Sequence, residues 1–290
     1  MAATDGPKAF GDFHDAANSI VGDSKFPSAK SIGFSVDPAA PKEKACCQPY
    51  LSGIEADGKS GMSASFKVPL DCLRKGWLGK LTWKAGACPG RTASIVSEHG
   101  NAECAAGIDS GAAVWSYSRS DATFRFSAEG KAEGLKGHPM TLIGSLVGTQ
   151  KWDFGGSVKY DPVRSGILDY AYGARTDCCG LGVTYDAKDG WRVSGTKALF
   201  GEWKSAAVFD YAPRKSASSV TLGVRSHEKT CDVTWQLRVK ASAEGLQRKG
   251  PITGGFSFGK KYNGWSTTIG FTFTPDACPI HPGIRLSYES

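Results

Sequence analysis

Lys67, Lys80, Lys84, Arg125, Lys159, Arg192, Arg225, Arg238, Lys240 and Arg285 have one trait in common: each occupies an alternate position of a segment whose intervening residues are largely aromatic or aliphatic. Glu129, Asp153, Asp169, Asp210 and Asp232 occupy the same kind of row. If these rows face one shared space, ten fixed cations against five anions make a positive wall that concentrates small anions. Bond-making chemistry would need a different pattern. The chain has no G-x-S-x-G, H-E-x-x-H, Walker A or dinucleotide fingerprint in context. Its five histidines lie far apart, mostly by turn signals, and its nine cysteines include adjacent pairs (Cys46 and Cys47, Cys178 and Cys179) but no C-x-x-C. The expectation is therefore a protein that is not an enzyme, with no cofactor, no resident metal and mostly free thiols.

The elements that carry these charges read as β-strands. In CDVTWQLRVKA (231–241) the odd positions are Cys, Val, Trp, Leu, Val and Ala, and the even ones Asp, Thr, Gln, Arg and Lys. Successive strand side chains point to opposite faces, so one face is apolar and the other hydrogen-bonding or charged. The same period of two marks MSASFKVPL (62–70), WLGKLTWKA (77–85), ATFRFSAE (122–129), WDFGGSVKY (152–160), VTLGVRS (220–226) and GWSTTIGFTFT (264–274). Between such segments lie DGKSG (57–61), AEGKAEG (128–134), DAKDG (186–190) and KKYNG (260–264), which predict hairpin turns and an antiparallel meander. From about residue 30 to the end there is room for about 18 or 19 strands of the length a tilted membrane strand requires. A single sheet of that size must close on itself or split into two layers.

The apolar rows carry Trp77, Trp83, Trp115, Tyr117, Tyr160, Tyr170, Tyr172 and Tyr185, often near strand ends, where the aromatic girdles of a membrane barrel sit. A polar row on nearly every strand suits a water-filled interior. No run of about 18 apolar residues predicts a transmembrane helix, a test that is blind to membrane strands. The opening MAATDGPKAF has neither the apolar core of a secretory signal nor a presequence's arginines, so retention inside the cell is expected. A formal charge of +7 favours anionic partners, but dispersed basic residues and the lack of a basic block or RNP motif argue against nucleic acid.

One segment breaks the period. In KAFGDFHDAANSIVGDSKF (8–26), Phe10, Phe13, Ala17, Ile20 and Val21 follow helical spacing, with Asp12, Asp15, Asn18 and Ser19 opposite, which predicts a short amphipathic helix ending near Gly22.

With that helix before the strands, the chain resembles the mitochondrial porins, the voltage-dependent anion channels. GPKAFGDFHDAANSIVGDSKF is similar to their opening segment, and HPGIRLSYES matches a mitochondrial β-signal through His281, Gly283, Leu286 and Tyr288. The resemblance implies an all-β transmembrane barrel of about 18 or 19 strands over 28–290, with residues 1–27 docked in or across the pore. It implies the mitochondrial outer membrane, passive diffusion of phosphate, nucleotides and other small anionic metabolites, and nucleotide contact at Lys8 and Lys25 on either side of the helix. Lipid, the permeants and a homo-oligomer or other mitochondrial membrane proteins would be the partners. The protein-import channel of the same barrel superfamily and a soluble β-rich binding protein are the alternatives. An inward patch of Ile143, Ile167 and Val208 is expected to dock the helix.

Overall fold

The computed structural model describes residues 7–22, 32–38, 46–57, 61–85, 89–99, 101–110, 112–132, 139–147, 152–178, 180–244, 247–248, 252–274 and 280–289. Lys25 lies outside them. A 3-10 turn, Phe10–Asp12, leads into helix α1, Asp15–Val21, which ends at Gly22. The nineteen strands are β1 (Ile32–Asp37), β2 (Tyr50–Asp57), β3 (Gly61–Pro69), β4 (Trp77–Ala85), β5 (Gly90–His99), β6 (Ala102–Asp109), β7 (Ala112–Ser120), β8 (Phe124–Ala132), β9 (Met140–Val147) and β10 (Trp152–Asp161). They continue as β11 (Gly166–Thr176), β12 (Leu181–Asp186), β13 (Gly190–Ala198), β14 (Trp203–Ala212), β15 (Ala217–Glu228), β16 (Val233–Glu244), β17 (Thr253–Tyr262), β18 (Trp265–Phe273) and β19 (Ile280–Glu289). A two-residue bridge, Gln247–Arg248, extends the edge of β16.

Each strand pairs antiparallel with the next, and β1 then pairs with β19 in parallel, Ile32 opposite Ile284 through Asp37 opposite Glu289. An odd number of alternating strands can close only in this way, because the first and last run in the same direction. The result is a closed all-β barrel of radius 18 Å with one short helix. Turn chemistry follows the sequence: Asn263 and Gly264 both have positive φ, as a tight hairpin between β17 and β18 demands. One turn signal is misplaced, since Ala128–Ala132 of the AEGKAEG stretch continue β8 as strand.

The apolar rows form one face. Trp83, Phe126, Trp235 and Phe271 are among its exposed side chains, with Ile95, Leu222, Leu237, Val239, Ile269 and Ile284. Aromatic neighbours stack across strands there, as in Tyr172, Tyr185 and Trp191. The buried apolar cluster lies on the opposite face, where Ala17, Ile20 and Val21 of α1 pack with Ala206 and Val208 of β14.

Candidate permeation pathway

The position of the N-terminal segment identifies the inner side of the wall. The 3-10 turn lies against β9 and β10, and α1 lies against β13, β14, β15 and β16. On a wall of radius 18 Å, strands β10 and β16 are about 30 Å apart across the barrel, given the ~4.8 Å spacing of neighbouring strands. Residues 10–21 span only about 20 Å as helix. So short a segment reaches both regions only from the concave side. The face it touches is therefore the lumen, and the face bearing Trp235 and Phe271 is the exterior.

Register carries that assignment around the barrel, because cross-strand partners share a face. Arg192 lies opposite Asp210, Arg225 opposite Gln236, Arg238 opposite Gly223 and Lys240 opposite Thr221. Arg125 pairs with Ser145, which pairs with Gly155, and Lys159 pairs with Thr141 and Asp169. Lys67 faces Lys80, Lys84 faces Ser63, and Arg285 faces Thr268 and Gly33. All ten basic residues thus fall on the helix side of the wall, as do Glu129, Asp153, Asp169 and Asp210. Asp232 does not join them: it sits in a turn with positive φ, 3.7 Å from His227 Nε2.

The same register adds charges that the sequence rows did not reveal. Lys131, Arg175, Lys204 and Lys261 join the bases, while Asp37, Glu55, Glu98, Glu103, Asp109, Asp186 and Glu244 join the acids. The inner excess of positive charge among the described residues is smaller than the ten-to-five count. Position matters more than the total. Most of the added acids lie at or next to strand ends, at the mouths, whereas Lys80, Arg238, Lys240 and Arg285 lie in mid-strand.

The helix seat is built from wall side chains that reach backbone and polar groups. Arg238 donates to the Val21 carbonyl at 3.1 Å, Gln236 to the Ser19 carbonyl at 3.0 Å, and Arg192 to Asn18 Oδ1 at 2.9 Å. The Lys8 backbone N–H donates to Asp153 at 3.3 Å, and Asp153 is itself 3.9 Å from Arg175. His14, which precedes α1, is buried with Nδ1 2.7 Å from Ser194 Oγ and Nε2 2.8 Å from Thr184 Oγ1. Burial first, and then the Arg192 guanidinium, lower its pKa from 6.5 to about 4. The Asp15 carboxyl is raised, by desolvation against the wall and then by Asp12, with Arg175 and Lys8 opposing.

Two glycines make room for the apolar side. A Cβ at Gly155 would stand 3.0 Å from the Phe10 ring and 3.1 Å from that of Phe13, and one at Gly223 would stand 2.5 Å from Val21 Cγ1. Of the expected docking patch, Val208 is in place. Ile143 faces inward, opposite Ser157, but stays outside the buried cluster. Ile167 is overturned: a bulge between Lys159 and Tyr160 sets it opposite outward Tyr160, and it is 65% exposed. A bulge inverts strand parity, which alternation alone does not disclose. Ala206, Ser194 and Thr184 are the partners that sequence reasoning missed.

Among the described residues Cys46 and Cys72 form a disulfide that cysteine spacing did not predict, while the exposed thiols of Cys47, Cys104 and Cys231 are free. No protein-family model matches the chain, and no curated protein matches it. The closed nineteen-strand barrel with parallel closure and an N-terminal helix is consistent with the mitochondrial porin fold. Its size suggests a membrane pore, and its many exposed apolar residues suggest an outer membrane.

Proposed function

We propose that this protein is a channel of the mitochondrial porin type, which lets small metabolite anions such as phosphate and nucleotides diffuse across the mitochondrial outer membrane. The observation that carries the reading is the N-terminal helix held on the charged inner wall of a barrel whose outer face is apolar. An apolar exterior suits lipid, and the charged interior suits water and ions. Lys80, Lys240 and Arg285 in mid-strand would favour anions where bulk water is least able to screen them. Lys8 stands at the start of the helix, on the same inner side, where a nucleotide phosphate could meet it. The reading involves no catalytic step.

The test is conductance in planar bilayers under a potassium chloride gradient. The reversal potential should report anion preference, and charge reversal of Lys80, Lys84 and Lys240 together should move it toward the cation side. Arg238 is left intact, since it also holds the helix. Unchanged selectivity with intact conductance would defeat the reading. A protein that never conducts and stays soluble without detergent would defeat the pore altogether.

A further inference from the structure

Cys46, Cys47 and Cys72 bring three sulfur atoms within 4.8 Å of one another, and they are the only such group of potential metal ligands among the described residues. Cys46 and Cys47 precede β2, and Cys72 lies in the connection from β3 to β4, so the cluster sits at one mouth of the barrel. We propose that this cluster, once its disulfide is reduced, is a three-thiolate site for a borderline or soft cation such as zinc or cadmium.

The spacing is the first argument. Sulfurs about 2.3 Å from a tetrahedral zinc stand roughly 3.8 Å from one another. Cys46 Sγ lies 3.8 Å from Cys47 Sγ, and Cys47 Sγ lies 3.6 Å from Cys72 Sγ. Two edges of a ligand triangle therefore exist already, and the third edge is the disulfide. The second argument is the backbone that holds the sulfurs. Cys47 has φ 60°, a left-handed conformation uncommon for a residue with a side chain, and its N–H donates to the Pro69 carbonyl at 2.8 Å. The Cys72 N–H donates to Cys46 Sγ at 3.1 Å, a contact that would stabilise a thiolate there. All three residues are exposed, so an ion can enter.

The chemistry balances in two steps. A dithiol reductant attacks one sulfur of the Cys46–Cys72 bond, the mixed disulfide is resolved by the reductant's second thiol, and two protein thiols and one oxidised reductant result. A divalent ion then displaces three protons from Cys46, Cys47 and Cys72, giving a site of net charge −1 with a fourth position open to water. Disulfide and ion compete for the same sulfurs, so the oxidised protein lacks the site.

The experiment uses the full chain, refolded in detergent and reduced with a dithiol that is then removed under anaerobic conditions. Alkylation of each cysteine is timed by mass spectrometry with and without one equivalent of zinc. Zinc should slow alkylation of Cys46, Cys47 and Cys72 together by at least about tenfold and leave exposed Cys104 and Cys231 unaffected. In a Cys47→Ser protein, protection of Cys46 and Cys72 should weaken about tenfold or more. Equal rates with and without zinc at the three residues would overturn the proposal, as would undiminished protection in Cys47→Ser. Neither result depends on whether the barrel conducts.

Discussion

Lowering the pH should loosen the helix from the wall through His14. The imidazole is buried between Ser194 and Thr184, with Arg192 as its cationic neighbour and Asp210 as the opposing anion. Its docked pKa of about 4 lies below the 6.5 of a free side chain, so the docked state prefers the neutral ring. The undocked helix therefore binds more protons. Docking strength is fully present above about pH 6.5, falls as pH drops, and stops falling near pH 4. Between pH 7 and pH 5 the two titrations differ by about 2 kcal/mol, on the order of twentyfold in the undocking equilibrium. Hydrogen exchange can read this, because the Asn18 N–H donates to the His14 carbonyl at 2.9 Å and the Gly22 N–H to that of Asn18 at 2.8 Å. After correction for the intrinsic pH dependence, both amides should exchange roughly twentyfold more readily at pH 5 than at pH 7. In His14→Gln, which keeps hydrogen-bonding capacity without this titration, the extra exchange should vanish. An identical pH response in His14→Gln would refute the reasoning, for other groups would then be responsible.

The helix seat should also fail by crowding: Gly223→Val would press on Val21, and channels should show altered conductance and weaker voltage dependence than wild type in planar bilayers. Deleting residues 1–24 should have the same effect in stronger form, and unchanged gating would put the helix outside the conduction path. On the exterior, Trp235→Arg or Ile269→Arg should cost about 2–4 kcal/mol if the position lies at mid-membrane, measured by urea unfolding in lipid vesicles. Thr82→Arg, on the inner row and away from the helix seat, should be tolerated far better; equal losses on both faces would point to a soluble sheet.

Most of the barrel was legible because strand alternation is a local signal: each Trp or Lys declares its face within a few residues. That local signal set the shared parity of the ten basic residues and the spacing of the helix stripe. What escaped depends on chain segments far apart. His14 meets Ser194 and Thr184 across more than 160 residues, and small hydroxyls carry no periodic mark that would pair them with a histidine. The bulge opposite Lys159 and Tyr160 leaves Leu168 of β11 unpaired and so reversed Ile167, a shift set by cross-strand pairing that alternation within β11 does not show. Mouth acids such as Asp109 and Asp186 sit at strand ends, where the alternating pattern gives way to turns and parity cannot be followed. The Cys46–Cys72 bond joins connections that bracket β2 and β3, and cysteine spacing alone did not reveal it.

The parallel seam has a consequence for assembly. Every other junction in the wall joins neighbours in sequence, so each hairpin can form soon after its two strands emerge. The seam joins Ile32 to Ile284, across nearly the whole chain, and must wait for the rest. Until it forms, the unfinished sheet carries two long unpaired edges that can recruit other chains. Completion of the wall is thus one slow, late event whose rate is set by bringing β1 to β19, and a chaperone or membrane machine that shields those two edges would act at the step where aggregation competes most strongly.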